Sequence, residues 1–327
     1  MATAAPSVEV DPGAALTQRT GGVWGDRTFR AVTLGAGFLV LAILAVIAYS
    51  TTSKAWPAFK HQGFSFVTST NWDPNKNQFG ALDFIYGTLV SSAIALVIAI
   101  PFSLGIALFV TELASRRVRT AVTYVIDLLA AIPSVVFGYW ALQVLTTPAS
   151  HWYKRIADTI GRLPALGRLF GGPVNGQSFM TAGLILAVMI TPIITSLSRE
   201  TLLTVAQEDK NAAIAMGATR WEMLRATVFP RVQSGLVGAA MLGLGRALGE
   251  TIAVALVIGS NHELSSHLFR TGDSMASLVA HNFGEATDLH RSALIGLGVV
   301  LFGLTIAVNI TARAITSRTM RGTVSGL

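Results

Sequence analysis

Six stretches of this chain run for about twenty residues or more with almost no charge, separated by polar segments of uneven length. They are roughly Ala31–Tyr49, Phe84–Val110, Val122–Leu145, Phe179–Leu197, Val232–Gly259 and Ala293–Ala312. Each exceeds the ~17 residues that a helix needs to cross about 30 Å of hydrocarbon, where helices satisfy their own backbone polar groups. The pattern predicts an all-α integral membrane protein, a bundle of six transmembrane helices.

The polar segments differ in kind. Residues 1–30 are small and polar, with Pro6 and Pro12, and read as a loosely ordered tail. Residues 31–315 form one membrane domain, and 316–327 a second short tail. The first apolar run could be a cleaved signal peptide, but the tail before it is long and no A-x-A site ends it, so a retained helix is expected. Ser50–Asp83, with "SFVTSTNWDPNKNQFG", reads as an extracytoplasmic segment rich in turn formers. Thr146–Ser178 carries "RLPALGRLFGGPVNGQ", whose amphipathic start and Gly/Pro end suggest a surface or re-entrant piece.

Composition narrows the class. Hydrophobic residues are 52% and charged residues 13%, about half the charged share of a soluble domain. The chain has no cysteine, so neither a disulfide framework nor a thiolate metal site is expected. The net charge of +7 is informative only once sorted by segment. With cytoplasmic termini, fourteen Lys and Arg fall on the cytoplasmic side and nine on the other, with Arg246 inside the membrane. That excess predicts a multi-pass plasma-membrane protein with both ends in the cytoplasm, although the Thr146–Ser178 segment, with four basic residues, runs against the trend.

Within the fifth run, "GLGRALGETIAVALVIG" holds Arg246 and Glu250. A charge at mid-membrane costs about 2.5–3.5 kcal/mol on insertion scales, so these side chains should face protein or water. At i and i+4 of a continuous helix they would be neighbours on one face. That face continues back through Gly243 and Ala239, and Gly235, Ala239, Gly243 and Ala247 put a small residue at every fourth position, which lets another helix approach closely. Two readings stay open: a pair that only locks the bundle, or an Arg that meets a passing anion while the Glu positions it or gates the path. A guanidinium fork suits tetrahedral oxyanions.

The second informative stretch is "AQEDKNAAIAMGATRWEMLRATVFPRV", Ala206–Val232. Glu208 and Asp209 precede a short helix-forming run, Gly217 offers a stop, and Trp221–Thr227 resumes before Pro230. Two short cytoplasmic helices joined at a glycine are predicted, with an interfacial amphipathic connector as the alternative.

Here the spacing N-A-A-x3-G-x9-T-x-F-P resembles the E-A-A-x3-G-x9-I-x-L-P signature of ABC importer permeases. Asn211, Ala212, Ala213, Gly217 and Pro230 occupy its slots, although Asn211 stands where the family has Glu. "MLGLGRALGETIAVALVIG", "FIYGTLVSSAIALVIAIPFSLGIALFVTEL", "LLAAIPSVVFGYWAL" and "GLILAVMITPIITSLSRE" are similar to the phosphate importer permeases, closest to their PstC-type branch, with the PstA type as the nearer confusion. The resemblance implies six membrane helices, a docking loop at 206–231 and a phosphate path lined by Arg246 and Glu250. It also implies four kinds of contact: a PstA-type second permease, two PstB-type ATP-binding subunits, a PstS-type extracytoplasmic phosphate-binding protein, and the membrane itself. No cofactor is implied on this chain, and ATP with Mg belongs to the partners. The five lysines follow Ser53, Phe59, Asn75, Tyr153 and Asp209, so none can be a Walker A lysine.

Other candidates are weaker. Asp127, by position a buried acid near the cytoplasmic end of the third run, could serve a proton or substrate path or pair with Arg117 or Arg119. Pro101, Pro133 and Pro192 fall inside runs two, three and four and should kink them. All six histidines fall in segments assigned outside, and His262 and His267 lack ligand spacing, so no metal site is expected. A stand-alone secondary anion transporter would show inverted repeats and more spans, and no H-E-x-x-H or G-x-S-x-G marks an intramembrane enzyme. Sulfate, molybdate or phosphonate remain alternative substrates to phosphate.

Overall fold

In the computed structural model the backbone is described for residues 23–163 and 166–324, and side chains for 25–163 and 166–314. The expected first tail lies outside this range up to residue 22. A helix begins at Val23, so residues 23–30 are already helical, and the backbone stays helical to Val324 across most of the expected second tail.

Among the described residues, the chain up to Ser53 and the chain from Lys54 onward form two compact units. Helix α1, Val23–Gln62, supplies the described part of the first and the opening residues of the second. Along it Phe38, Leu41, Val46 and other apolar side chains are exposed. Between Arg30 and Lys54 this helix carries no charge and exposes large apolar side chains all round, which matches it to lipid, not water.

The second unit continues with α2 (Ser65–Thr68), a two-stranded antiparallel ribbon pairing β1 (Trp72–Asp73) with β2 (Gln78–Phe79), and α3 (Leu82–Leu108), which closes in a π-helical turn at Phe109–Leu113. Then come α4 (Arg116–Ala131), α5 (Ser134–Trp140), α6 (Thr146–Thr159) and α7 (Gly167–Phe170). A π-helical turn at Ala141–Leu145 carries α5 directly into α6, so the third apolar run does not end at Leu145 and the start of the expected surface piece is its continuation. The remaining helices are α8 (Phe179–Leu203), α9 (Gln207–Ala215), α10 (Arg220–Met223), α11 (Phe229–Gly249), α12 (Ile252–Val257), α13 (Met275–Asn282) and α14 (Asp288–Val324).

The fold is all-α and membrane-spanning. Among the described residues four helical segments are long and apolar enough to cross a membrane: Gly25–Gln62, Leu82–Leu113, Phe179–Leu203 and Asp288–Ala314. Arg116–Ala131 and Ser134–Arg162 make a fifth if counted together, and they meet at a 90° bend. The expected count of six is not reached by length and composition, because the run Val232–Gly259 is divided between α11 and α12. The three prolines act differently. Pro101 and Pro192 sit inside α3 and α8, whereas α4 ends before Pro133, whose ring disfavours helical geometry in the residue ahead of it.

Three buried clusters fix the directions of the helices. Ala99, Ile185, Ile190 and Ala247 share the middle cluster. Phe84 at the start of α3 packs with Trp72, Met275, Ala293 and Leu297 at one end, and Ala107 at the finish of α3 packs with Leu202, Met223, Val228 and Val232 at the other. α3 therefore runs from the first end to the second. α14 starts at the first end and α11 at the second, so these two helices run antiparallel.

Candidate functional site

Two regions of the second unit bear chemistry. One is a hairpin at the end of the bundle where α3 finishes. α9 stops at Gly217, whose φ of +90° suits glycine, and the backbone N–H groups of Met216, Gly217 and Ala218 donate to the carbonyls of Ala212, Ile214 and Ala213. α10 restarts at once with a capping box: Thr219 Oγ1 accepts from the Glu222 amide, and Glu222 accepts from the Thr219 amide at 2.8 Å. Donation from the Thr219 amide and hydroxyl to the Glu222 carboxylate holds that carboxyl below the usual carboxylate range. Asn211 and Ala212 are exposed, Ala213 is half-buried against the end cluster, and Ile214, Met216 and Trp221 present apolar side chains outward, Met216 at 89% exposure.

The two short helices expected here are one short helix and the beginning of a long one. From Arg220 the chain stays helical through the π-helical turn Leu224–Val228 and past Pro230 into α11. Pro230 does not stop the helix because it occupies the first turn after the wide π turn, where its missing N–H goes unused. The second arm of the hairpin and the membrane helix α11 are thus one rod.

Arg246 lies in the last turn of that rod. α11 ends at Gly249, and Glu250 takes an extended backbone (φ −71°, ψ 126°). Its Oε1 accepts from the Ala253 amide at 3.3 Å, covering a donor in the first turn of α12. The expected helical i,i+4 pair is therefore absent: the helix that would place both side chains on one face stops between them, and among the described residues no ion pair joins them.

The small-residue stripe meets another helix as expected, but Arg246 does not share its face. Ala239, Gly243 and Ala247 are buried, and a Cβ on Gly243 would stand 2.6 Å from Ile194 Cδ1 of α8, as one on Gly235 would stand 2.2 Å from Thr201 Cγ2. The stripe seats α11 on α8. Arg246 faces another way, into an open groove of about 1080 Å³ lined on α11 by Ser234, Met241, Leu242 and Gly249, just beyond α11 by Glu250, on α8 by Ile193, and on α14 by Ile306, Asn309, Ile310 and Arg313. Arg246 is exposed in this groove and Glu250 half-buried. Two cations, one carboxylate, an amide and a hydroxyl in an otherwise apolar groove offer charged and neutral donors suited to a small anion.

The chain matches the family described as "Binding-protein-dependent transport system inner membrane component" over residues 99–321. It belongs to that family. The chain is thus a membrane permease subunit of a transport system that works with a separate binding protein. It is 46% identical to the phosphate transport system permease protein PstC of Xylella fastidiosa (strain Temecula1), over 90% of this chain and 92% of that one. It is 42% identical to the phosphate transport system permease protein PstC of Haemophilus influenzae, over 89% and 92%. Among solved structures, a chain of a bacterial ABC transporter involved in the import of the acidic polysaccharide alginate superposes with a TM-score of 0.57 at 15% identity, covering 90% of this permease and 98% of that chain; the likeness is one of fold.

Asp127 is exposed on α4 rather than buried, and among the described residues it pairs with neither Arg117 nor Arg119. Arg119 instead donates to the carbonyls of Val110 (2.8 Å) and Thr111 (2.9 Å) in the π turn that ends α3. Four groups at these two regions escaped sequence reasoning. Glu112 and Lys210 join at 2.6 Å across 98 positions. Asn309 and Arg313 were hidden in a run read only as a span and its basic flank, and their i,i+4 spacing was the available signal.

Proposed function

We propose that this permease forms one transmembrane half of an ATP-driven importer of inorganic phosphate. The observation that carries it is Arg246, a guanidinium exposed in a groove between membrane helices, at the end of a helical rod whose other end is an exposed hairpin with the docking spacing. Relatives named for phosphate transport over nine-tenths of the chain support phosphate as the substrate.

The parts then have these roles. A second, paralogous permease covers the groove from the other side. Of two ATP-binding subunits in the complex, one docks on this chain at Asn211, Ala212, Ala213, Gly217 and Pro230 and the apolar side chains around them. ATP and Mg act on those subunits, and this chain brings no catalytic group or cofactor of its own. An extracytoplasmic binding protein delivers phosphate to residues 50–83, 146–178 and 260–292, with both termini in the cytoplasm. When the ATPases close, they push the hairpin, and the rod from Arg220 to Gly249 carries the motion to Arg246. The guanidinium offsets part of the anion's desolvation, and Glu250 keeps that grip weak enough for release.

Labelled phosphate uptake in cells lacking this chain, complemented with wild type or Arg246→Gln, tests the role. Uptake restored by wild type alone, with equal membrane levels of the complex, supports it. Uptake restored by both makes Arg246 structural, and uptake restored by neither removes phosphate as substrate and turns attention to sulfate, molybdate or phosphonate.

A further inference from the structure

The groove holds a second cationic group that the path role of Arg246 and Glu250 leaves unused. Arg313 lines it from α14, with Asn309 one turn before it, and Ser234 belongs to the same lining on α11. Arg313 is exposed, and among the described residues it enters no ion pair. Glu250 is the sole acid in the lining. Asn309 spends one amide hydrogen on the Thr305 carbonyl at 2.9 Å, which leaves its second N–H and its oxygen for a ligand.

The antiparallel run of α11 and α14 separates the two arginines. Arg246 stands fourteen residues beyond Val232 in the end cluster, about 21 Å along the axis at 1.5 Å per residue. Arg313 stands sixteen residues beyond Leu297 of the opposite cluster, about 24 Å toward the hairpin end. The clusters themselves lie about 35 Å apart, the rise from Phe84 to Ala107. Arg313 is therefore nearer the docking end than Arg246, by on the order of 10 Å.

We infer that Arg313, with Asn309 and Ser234, forms a second oxyanion station in the same groove, on the docking-hairpin side of Arg246. Its ligand is a tetrahedral phosphoryl-type oxyanion held by the guanidinium fork and the amide and hydroxyl donors. Two weak sites in series let an anion leave the first without returning to bare hydrocarbon, which a single tight site would prevent. The inference rests on the transport role proposed above. The same chemistry would also accept a lipid headgroup phosphate, and the test separates the two sources.

The chain has no cysteine, so Ser234→Cys gives this chain one thiol beside the station, and its labelling is read on this chain's own band. In the assembled transporter, placed in nanodiscs of neutral or of anionic lipid, inorganic phosphate should slow labelling of that thiol by a small neutral thiosulfonate at least threefold in both lipids. Arg313→Gln should abolish the protection, Arg313→Lys should weaken it, and Arg246→Gln should leave it in place. Absence of protection by phosphate and by sulfate overturns the station, as does protection that survives Arg313→Gln. Labelling that responds to anionic lipid and to neither free anion assigns Arg313 to headgroups and overturns it too. Protection by sulfate alone upholds the station while removing phosphate as the substrate.

Discussion

Lys210 Nζ on α9 lies 2.6 Å from Glu112 Oε1 in the π-helical turn that ends α3, and the two side chains are 6% and 15% exposed. The pair fastens α9 to a membrane helix that is far from it in sequence. Arg119 holds the same turn from the other side through the carbonyls of Val110 and Thr111, and an ion pair of Arg231 with Asp209 ties α9 to the start of α11.

Lys210→Met should therefore strand the Glu112 carboxylate. Breaking a fully buried pair costs about 3–5 kcal/mol, and the residual exposure of Glu112 puts this one at the low end. Transport per ATP should fall while assembly persists, and the exchange Lys210→Glu with Glu112→Lys should recover part of it. Coupling in reconstituted vesicles measures this, and equal coupling in all variants refutes the fastening role.

Arg246→Gln removes charge-assisted hydrogen bonds to a passing anion, worth about 1.5–3 kcal/mol, which predicts roughly a 10- to 100-fold loss of uptake. Glu250→Gln keeps an oxygen for the Ala253 amide, so it should assemble normally and alter release more than folding. Uptake kinetics with blotted complex levels distinguish these outcomes.

Gly243→Val should push α11 off α8, since the new side chain begins 2.6 Å from Ile194 Cδ1. Overpacking of this kind costs about 1–3 kcal/mol. A second substitution, Ile194→Ala, should return most of the thermal stability. No recovery would mean that the stripe is not the contact that matters.

Gly217 has open space around a would-be Cβ, so substitution there acts through the backbone alone. At φ +90° a β-branched residue should cost about 1–3 kcal/mol and distort the hairpin turn. Gly217→Val is expected to leave membrane levels near normal and to uncouple ATP hydrolysis from uptake, and ordinary coupling would refute this.

The Glu222 cap gives a pH dependence. Its carboxyl is held below its ordinary value by the Thr219 hydrogen bonds, so its contribution is complete above the unfolded pKa and fades as pH falls through the lower, folded one. The protection factor of the Thr219 amide, with the pH dependence of intrinsic exchange divided out, should fall in acid for wild type, and Glu222→Ala should show the low protection already at neutral pH.

Local signals were legible wherever one segment carries the whole instruction. Gly217 marked the end of α9, the apolar runs marked membrane helices, and small residues at every fourth position marked the surface on which α11 meets a neighbour. The Arg246–Glu250 pair failed because spacing fixes a shared face only in an unbroken helix. Pro133 and Pro230 look alike in sequence, yet one breaks a span and the other lies within a continuous rod, because the π turn ahead of Pro230 leaves its missing donor unneeded.

By itself the sequence determined the solvent this protein lives in, its helical class, and the two stretches that bear its chemistry, since hydrophobicity, charge and glycine act through the nearest few residues. Only the tertiary structure decided which side chains meet. It joined Lys210 to Glu112, turned Arg246 away from the α8 contact, and brought Asn309 and Arg313 into the same groove. Those partners are separated by tens of residues along the chain, and helix packing in three dimensions, not spacing, sets their distances.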